Sequence, residues 1–121
     1  MPLCLAAGAV AATLAIESFT LAWTHSIEKL RWEEDWHVAG PTLVLTEARI
    51  RGSGAGMEPP AGSVLHDGAW HFRPRDRWLR ELQLARSEFT PDYQLCFAGR
   101  CRPLAHWQSV QAGPTTLRPC P

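Results

Sequence analysis

Phe19-Thr20-Leu21-Ala22-Trp23-Thr24-His25-Ser26-Ile27 is the stretch on which the fold turns. Phe19, Leu21, Trp23, His25 and Ile27 share one parity, and Thr20, Thr24 and Ser26 share the other. A period of two belongs to a strand with one buried face. The next segment repeats the pattern. Leu30, Trp32, Glu34, Trp36 and Val38 lie on one side, with Arg31, Glu33, Asp35 and His37 opposite. Residues 26–37 can also be drawn as a helix, but their aromatic content and period-two match favour a strand. The expected fold class is all-β: a small antiparallel β-sandwich or barrel.

Toward the C-terminus the same grammar continues. Gly40-Pro41 is a turn signal, and residues 42–50, rich in Leu, Val and Thr, form a third strand. Residues 52–62 hold four glycines and two prolines and form a long glycine-rich loop. A short strand is expected at residues 69–72. Residues 75–89 stay open between a strand through Leu82 and Leu84 and a helix using Trp78, Leu82, Ala85 and Phe89. Tyr93 to Leu104 forms a hairpin. One domain is expected over residues 3–110, with residues 111–121 as an extended tail carrying three prolines.

Toward the N-terminus, residues 3–16 are apolar and rich in small side chains. As a helix they span only about 21 Å, against a bilayer core of about 30 Å. An export signal needs a positive start, and no Lys or Arg precedes Lys29. Two strands around a turn at Gly8 is the favoured reading, ahead of a degenerate export signal and a membrane anchor.

At 121 residues the chain fits a single core. Its formal net charge is zero, which points away from a general nucleic-acid footprint. Residues 1–69 carry eight acids and four bases, and residues 70–121 carry four acids and eight arginines. Mutual attraction of the two halves across one domain is the plainer account of this imbalance; a basic surface for an anionic partner is the sharper one. Arginine dominates the bases, so bidentate Arg–carboxylate pairs are expected inside the domain. Each of the six tryptophans needs a partner or a wet edge for its indole N–H.

Four cysteines are present: Cys4, Cys96, Cys101 and Cys120. A two-residue loop at Ala98-Gly99 puts Cys96 opposite Cys101 in a non-hydrogen-bonded pair, close enough for a disulfide. Reduced cysteines are the alternative. The bridge would imply an oxidising, extracytoplasmic compartment such as the periplasm. Cys4 and Cys120 are candidates for a second bridge.

The candidate ligand-binding residues are His25, Ser26, Glu28, Glu34, Glu47, Ser53, Gly54 and Gly56. A hairpin tip at Glu28-Lys29 would make His25 and Glu34 diagonal neighbours on the apolar face. A buried carboxylate needs such a partner. That pair is read first as a satisfied core contact and second as a ligand or pH-sensing site. Glu33, Asp35 and His37 could bind a divalent cation, but an exposed charged strand face is usually just solvated. No zinc pattern is present, and no metal site or cofactor is assigned. His25 and Ser26 are adjacent, so on a strand they point apart and cannot act as base and nucleophile. Ser53 lies in Gly52-Ser53-Gly54-Ala55-Gly56, which lacks the Gly-Lys-Ser/Thr ending of a phosphate loop. Its glycines read as a β-arch before an anion-binding nest.

Several motifs together resemble a bacterial family catalogued as domain of unknown function 1850. They are Trp23-Thr24-His25-Ser26-Ile27-Glu28-Lys29, Trp32-Glu33-Glu34-Asp35-Trp36, Leu45-Thr46-Glu47-Ala48-Arg49, Gly52-Ser53-Gly54-Ala55-Gly56-Met57-Glu58-Pro59 and Leu95-Cys96-Phe97-Ala98-Gly99-Arg100-Cys101-Arg102. The resemblance runs from Leu3-Cys4-Leu5 to Pro103-Leu104. It implies that Leu3-Cys4-Leu5 is the first strand of the domain. It also implies genes beside TRAP-type permeases of the kind served by TAXI solute-binding proteins. An Asp-Gly turn is common in that family where Ala98-Gly99 stands here.

The expected function is therefore an extracytoplasmic accessory or binding module of a TRAP-type (TAXI) uptake system. Its partner would be the permease or the solute-binding protein, with no nucleic acid and no membrane contact except through a partner. A metal-dependent or hydrolytic enzyme built on the His25 and Glu cluster, and a purely structural interaction domain, are the alternatives.

Overall fold

The computed structural model describes residues 1–24, 30–51, 60–74 and 77–121. Twelve strands appear among them: β1 (Leu3–Ala7), β2 (Val10–Leu14), β3 (Ser18–Thr24), β4 (Arg31–Ala39), β5 (Thr42–Arg51), β6 (Val64–His66), β7 (Ala69–Phe72), β8 (Trp78–Leu79), β9 (Leu82–Leu84), β10 (Gln94–Phe97), β11 (Arg100–Pro103) and β12 (Thr115–Pro119). Single 3-10 turns at Leu104–His106 and Val110–Ala112 are the helical elements of the described residues.

The strands form two antiparallel sheets that share one core, so the all-β antiparallel expectation holds, and of sandwich or barrel it is two separate sheets that are seen. A four-stranded sheet runs β2-β1-β12-β9. An eight-stranded sheet runs β11-β10-β3-β4-β5-β7-β6, with β8 also paired to β5. Leu3, Leu5 and Leu117 from the small sheet meet Phe19, Leu21, Trp36, Val38, Leu43, Leu45 and Leu95 from the large one. Phe19, Leu21, Trp36 and Val38 are the ones whose parity marked them as inward-facing, and removal of the whole set from water is the main driving force.

Residues 3–16 are two strands, β1 and β2, turning at Gly8, whose φ is +57°. The long third strand breaks its own alternation. Leu43 and Leu45 face inward, yet so do Ala48 and Ile50. A β-bulge reconciles them: Asp35 pairs with Glu47 while Trp36 pairs with Leu45, leaving Thr46 extra. The open choice over residues 75–89 resolves to the short strands β8 and β9.

In place of the expected extended tail over residues 111–121, Val110–Ala112 form a 3-10 turn, and Thr115–Pro119 form a strand inside the small sheet. β12 lies between β1 and β9, and Thr115 and Leu117 are fully buried. Alternate burial of Thr115 and Leu117 is the pattern that makes this segment part of the core. Arg86 secures the same end. Its side chain is 1% exposed, and it donates to Asp92, to the Gln108 carbonyl and to Thr115 Oγ1.

Both disulfides form: Cys4–Cys120 and Cys96–Cys101. Cys96 pairs with Cys101 in the expected register, across a turn where Ala98 (φ +52°) and Gly99 (φ +74°) are both left-handed. The two bridges differ in what they close. Cys4–Cys120 spans 116 positions and Cys96–Cys101 spans five. On the chain-entropy account they contribute roughly 5 and roughly 2 kcal/mol respectively.

Candidate functional site

The pleat sends alternate residues of β4 to opposite faces, and β4 therefore serves two environments. On the outer face, Glu33, Asp35 and His37 stand beside Glu47, Arg49 and Arg51 of β5 and His71 of β7. The register makes the charges complementary: Glu33 lies opposite Arg49, and Arg49 lies opposite His71.

Arg49 is the hub. Its Nε donates to Glu33 Oε1 at 3.0 Å, and its two terminal nitrogens grip Asp35 at 2.7 Å each. Nη1 also reaches Glu47 Oε1 at 3.3 Å. Glu33 further accepts from Arg31 Nε and Arg51 Nε, both at 2.9 Å. Burial alone would raise the Glu33 carboxyl, but these three guanidinium groups outweigh it and hold it below its ordinary value. Asp35 behaves alike: burial is outweighed by Arg49 and by the Thr20 hydroxyl at 2.6 Å. His71, through its hydrogen bond, does most to lower Glu47, and Arg49 adds to it. Arg49 in turn is held even more firmly charged by Asp35. Glu33 is only 8% exposed, although it lies on the outside of the sheet. The arginine stems that pair with it also cover it.

This network bears on two expectations. Arginines occupy the oxygens of Glu33 and Asp35, and Glu33 is also buried; His37 instead pairs with Ser18 Oγ at 3.0 Å. Among the described residues, most ion pairs of this network lie within β4 and its neighbour β5, in the first half, and Glu47 with His71 links the first half to the second.

Beside the network lies a cavity of about 460 Å³. Glu47, His71 and Arg73 supply its polar groups, and Val64 and Phe72 supply apolar wall. His71 Nδ1–H donates to Glu47 Oε1 at 2.5 Å, a tautomer assigned because an ionised carboxylate only accepts. Its Nε2 lies 3.2 Å from the His66 carbonyl oxygen. Arg49 and His71 both meet Glu47 at Oε1. A cavity of this size with apolar walls and a few convergent charged groups matches the usual form of a small-ligand site.

Glu34 faces the other way. It pairs with Leu21 of β3 and Ala48 of β5 on the inner side of the sheet. Trp32 and Trp36 flank it on β4, and their buried indole nitrogens have no hydrogen-bond partner among the described residues. Burial raises the Glu34 carboxyl. The Trp36 indole, from outside hydrogen-bonding geometry, and Arg77 offset that burial only in part. Tyr93 is raised by its own burial and by the charge of Glu34. Trp23 stacks on Trp32 with centroids 6.2 Å apart and meets Tyr93 at 5.8 Å.

Of the eight sequence-derived candidates, Glu34 and Glu47 are described, and the sheet separates them onto opposite faces. They cannot contribute to one site. His25, Ser26, Glu28, Ser53, Gly54 and Gly56 lie outside the described residues. The inferred His25–Glu34 diagonal assumed Trp23 opposite Glu34. The observed register places Trp23 opposite Trp32 and Leu21 opposite Glu34, an offset of two residues. Trp23 is thus a diagonal neighbour of Glu34. His71, Arg49 and Arg73 were not singled out from sequence. Arg49 was legible in the alternation Glu47, Arg49, Arg51 set against Glu33 and Asp35; His71 was not, because β7 reaches β5 only after a long connection.

No curated protein and no solved structure matches the chain. A family model described as "Domain of unknown function (DUF1850)" matches residues 19–104, from β3 through β11, so the chain belongs to that family.

Proposed function

We propose that this chain is an extracytoplasmic binding or accessory module of a TRAP-type (TAXI) solute uptake system, and that it engages a small charged ligand at the Glu47–His71–Arg73 cavity. The observation that carries this reading is the cavity itself, where a carboxylate, an imidazole and a guanidinium converge against Val64 and Phe72. Groups of both signs at one mouth suit a ligand that carries a carboxylate and a donor group together, as an amino acid does. The two disulfides support an oxidising compartment, the periplasm in a bacterium with two membranes. No helix among the described residues is long and apolar enough to cross a membrane.

The test is a thermal-shift screen of the oxidised chain against amino acids, small carboxylates and divalent cations, with Glu47→Gln and Arg73→Ala as controls. An amino acid or carboxylate that raises the melting temperature of wild type, and not of either control, is the expected result. A stabilisation that both variants retain, or none at all, overturns the ligand site. Affinity capture with the neighbouring permease and solute-binding protein tests the transporter association separately.

A further inference from the structure

Sheet edges expose unpaired backbone donors and acceptors, and folded proteins usually guard them with charge, proline, bulges or shortness. The edges of this sandwich differ in that respect. β11 carries Arg100, Arg102 and Pro103. β6 is three residues long, contains His66 and runs into Asp67. β9 is also three residues long and follows Glu81. β2 has none of these guards. It is five residues, Val10-Ala11-Ala12-Thr13-Leu14, with no charge, no proline and no bulge against β1. Val10 is 52% exposed.

The hydrogen-bonding phase of β2 follows from its hairpin. Ala7 and Val10 close a two-residue turn, so they form a hydrogen-bonded pair, as do Leu5 with Ala12 and Leu3 with Leu14. The opposite phase falls on β12, where Pro119 sits opposite Leu3 without needing an N–H for it. The backbone groups of Ala11 and Thr13 therefore point away from β1, off the edge of the sheet.

The sequence of β2 also reads alike in both directions by size: large, small, small, small, large. An antiparallel pairing of β2 with itself, centred on Ala12, sets Ala11 against Thr13 of the other copy. Both are residues whose N–H and C=O point outward, so two such pairs close four hydrogen bonds. The same register sets Val10 against Leu14 on the inner face and covers the exposed Val10. No like charges meet, because β2 has none.

We propose that two copies of this chain join edge to edge through β2, antiparallel about Ala12, and fuse their four-stranded sheets into one continuous sheet. Five residues per copy make a small interface, so the dimer forms with rising concentration rather than as a permanent assembly. This assembly is independent of the ligand site, which lies on the other sheet.

The experiment is light scattering on the oxidised full chain across a concentration series. Wild type moves from monomer toward dimer mass as concentration rises. Ala11→Pro removes an outward N–H that β1 does not use, and an edge strand tolerates proline there. It holds the chain at monomer mass with its melting temperature nearly unchanged. Should that variant fail to fold, Thr13→Lys replaces it, setting two ammonium groups on one face across the axis. Ala12→Cys reads the register: the non-hydrogen-bonded pair at the axis brings the two new thiols into bonding range, and the dimer becomes covalent on oxidation. A wild type that stays monomeric at millimolar concentration, a dimer that survives both edge variants, or a dimer that Ala12→Cys does not cross-link each overturns the proposal.

Discussion

Glu33 and Glu34 are the same residue type at consecutive positions of β4, and the sheet treats them in opposite ways. Glu33 faces outward into three guanidinium groups and is held below the ordinary carboxylate range. Glu34 faces inward among Trp32, Trp36 and Leu21, and burial pushes it up. What separates them is one pleat. The outer face compensates its buried charge within a closed network of hydrogen bonds, whereas the inner face leaves two indole N–H groups without hydrogen-bond partners among the described residues and holds a carboxyl whose burial is offset only in part. A compensated face is built for rigidity. An uncompensated polar group inside a core costs stability, and such groups are found where a fold carries more than packing demands.

The largest break in this contrast is Arg49→Met. It strips the shared guanidinium from Glu33, Asp35 and Glu47 at once, leaving Asp35 without an arginine among the described residues and Glu33 with only Arg31 and Arg51. A loss of about 3 kcal/mol in urea unfolding is expected, in line with breaking one side of a partly buried ion cluster. Glu33→Gln comes next, at about 2 kcal/mol, because three arginines then lose a common partner. Glu34→Gln, in the same assay at neutral pH, should be neutral or stabilising by up to about 1 kcal/mol, since it removes a carboxylate whose charged form is disfavoured. Equal losses at the two positions would erase the distinction between the faces.

Acidity sharpens the contrast further, because the two shifts have opposite signs. Glu33, Asp35 and Glu47 bind protons less tightly when folded. Their stabilisation is complete above the ordinary value of 4.5 for the glutamates and 3.8 for Asp35, and it is lost as pH falls through the lowered folded values. Glu34 binds its proton more tightly when folded, so its contribution is complete below 4.5 and is lost as pH rises through its raised value. In stability measured against pH, the advantage of Glu34→Gln over wild type should grow as pH rises above 4.5 and then level off. The deficit of Glu33→Gln should shrink as pH falls below 4.5. The smallest effect is at the exposed rim. Ser18→Ala removes the hydrogen bond to His37 and should change stability by no more than about 0.5 kcal/mol, whereas a larger loss would extend the network to that edge.

Much of this was visible along the chain. Alternation from Phe19 to Val38 identified β3 and β4 and sorted their side chains onto the correct faces. Cys96 and Cys101 announced their own register through the two residues between Phe97 and Arg100. The sorting failed where local pattern is broken by a partner strand. The bulge at Thr46 exists only against Asp35 and Trp36, and it lets Leu45 and Ala48 face the same way. The offset of two residues between β3 and β4 likewise placed Trp23, in place of Leu21, opposite Glu34 in the sequence-derived pairing.

The order of residues alone determined that this is an all-β chain, which side of β3 and of β4 is apolar, and that Cys96 meets Cys101. These follow from period, turn chemistry and spacing, all of which act over a few residues. Tertiary structure alone decided that Arg49 holds three carboxylates, that His71 reaches Glu47 and that residues 115–119 are a central strand. Each depends on which strand lies beside which, and strand neighbours are chosen by the packing of a whole core around contacts distant in sequence.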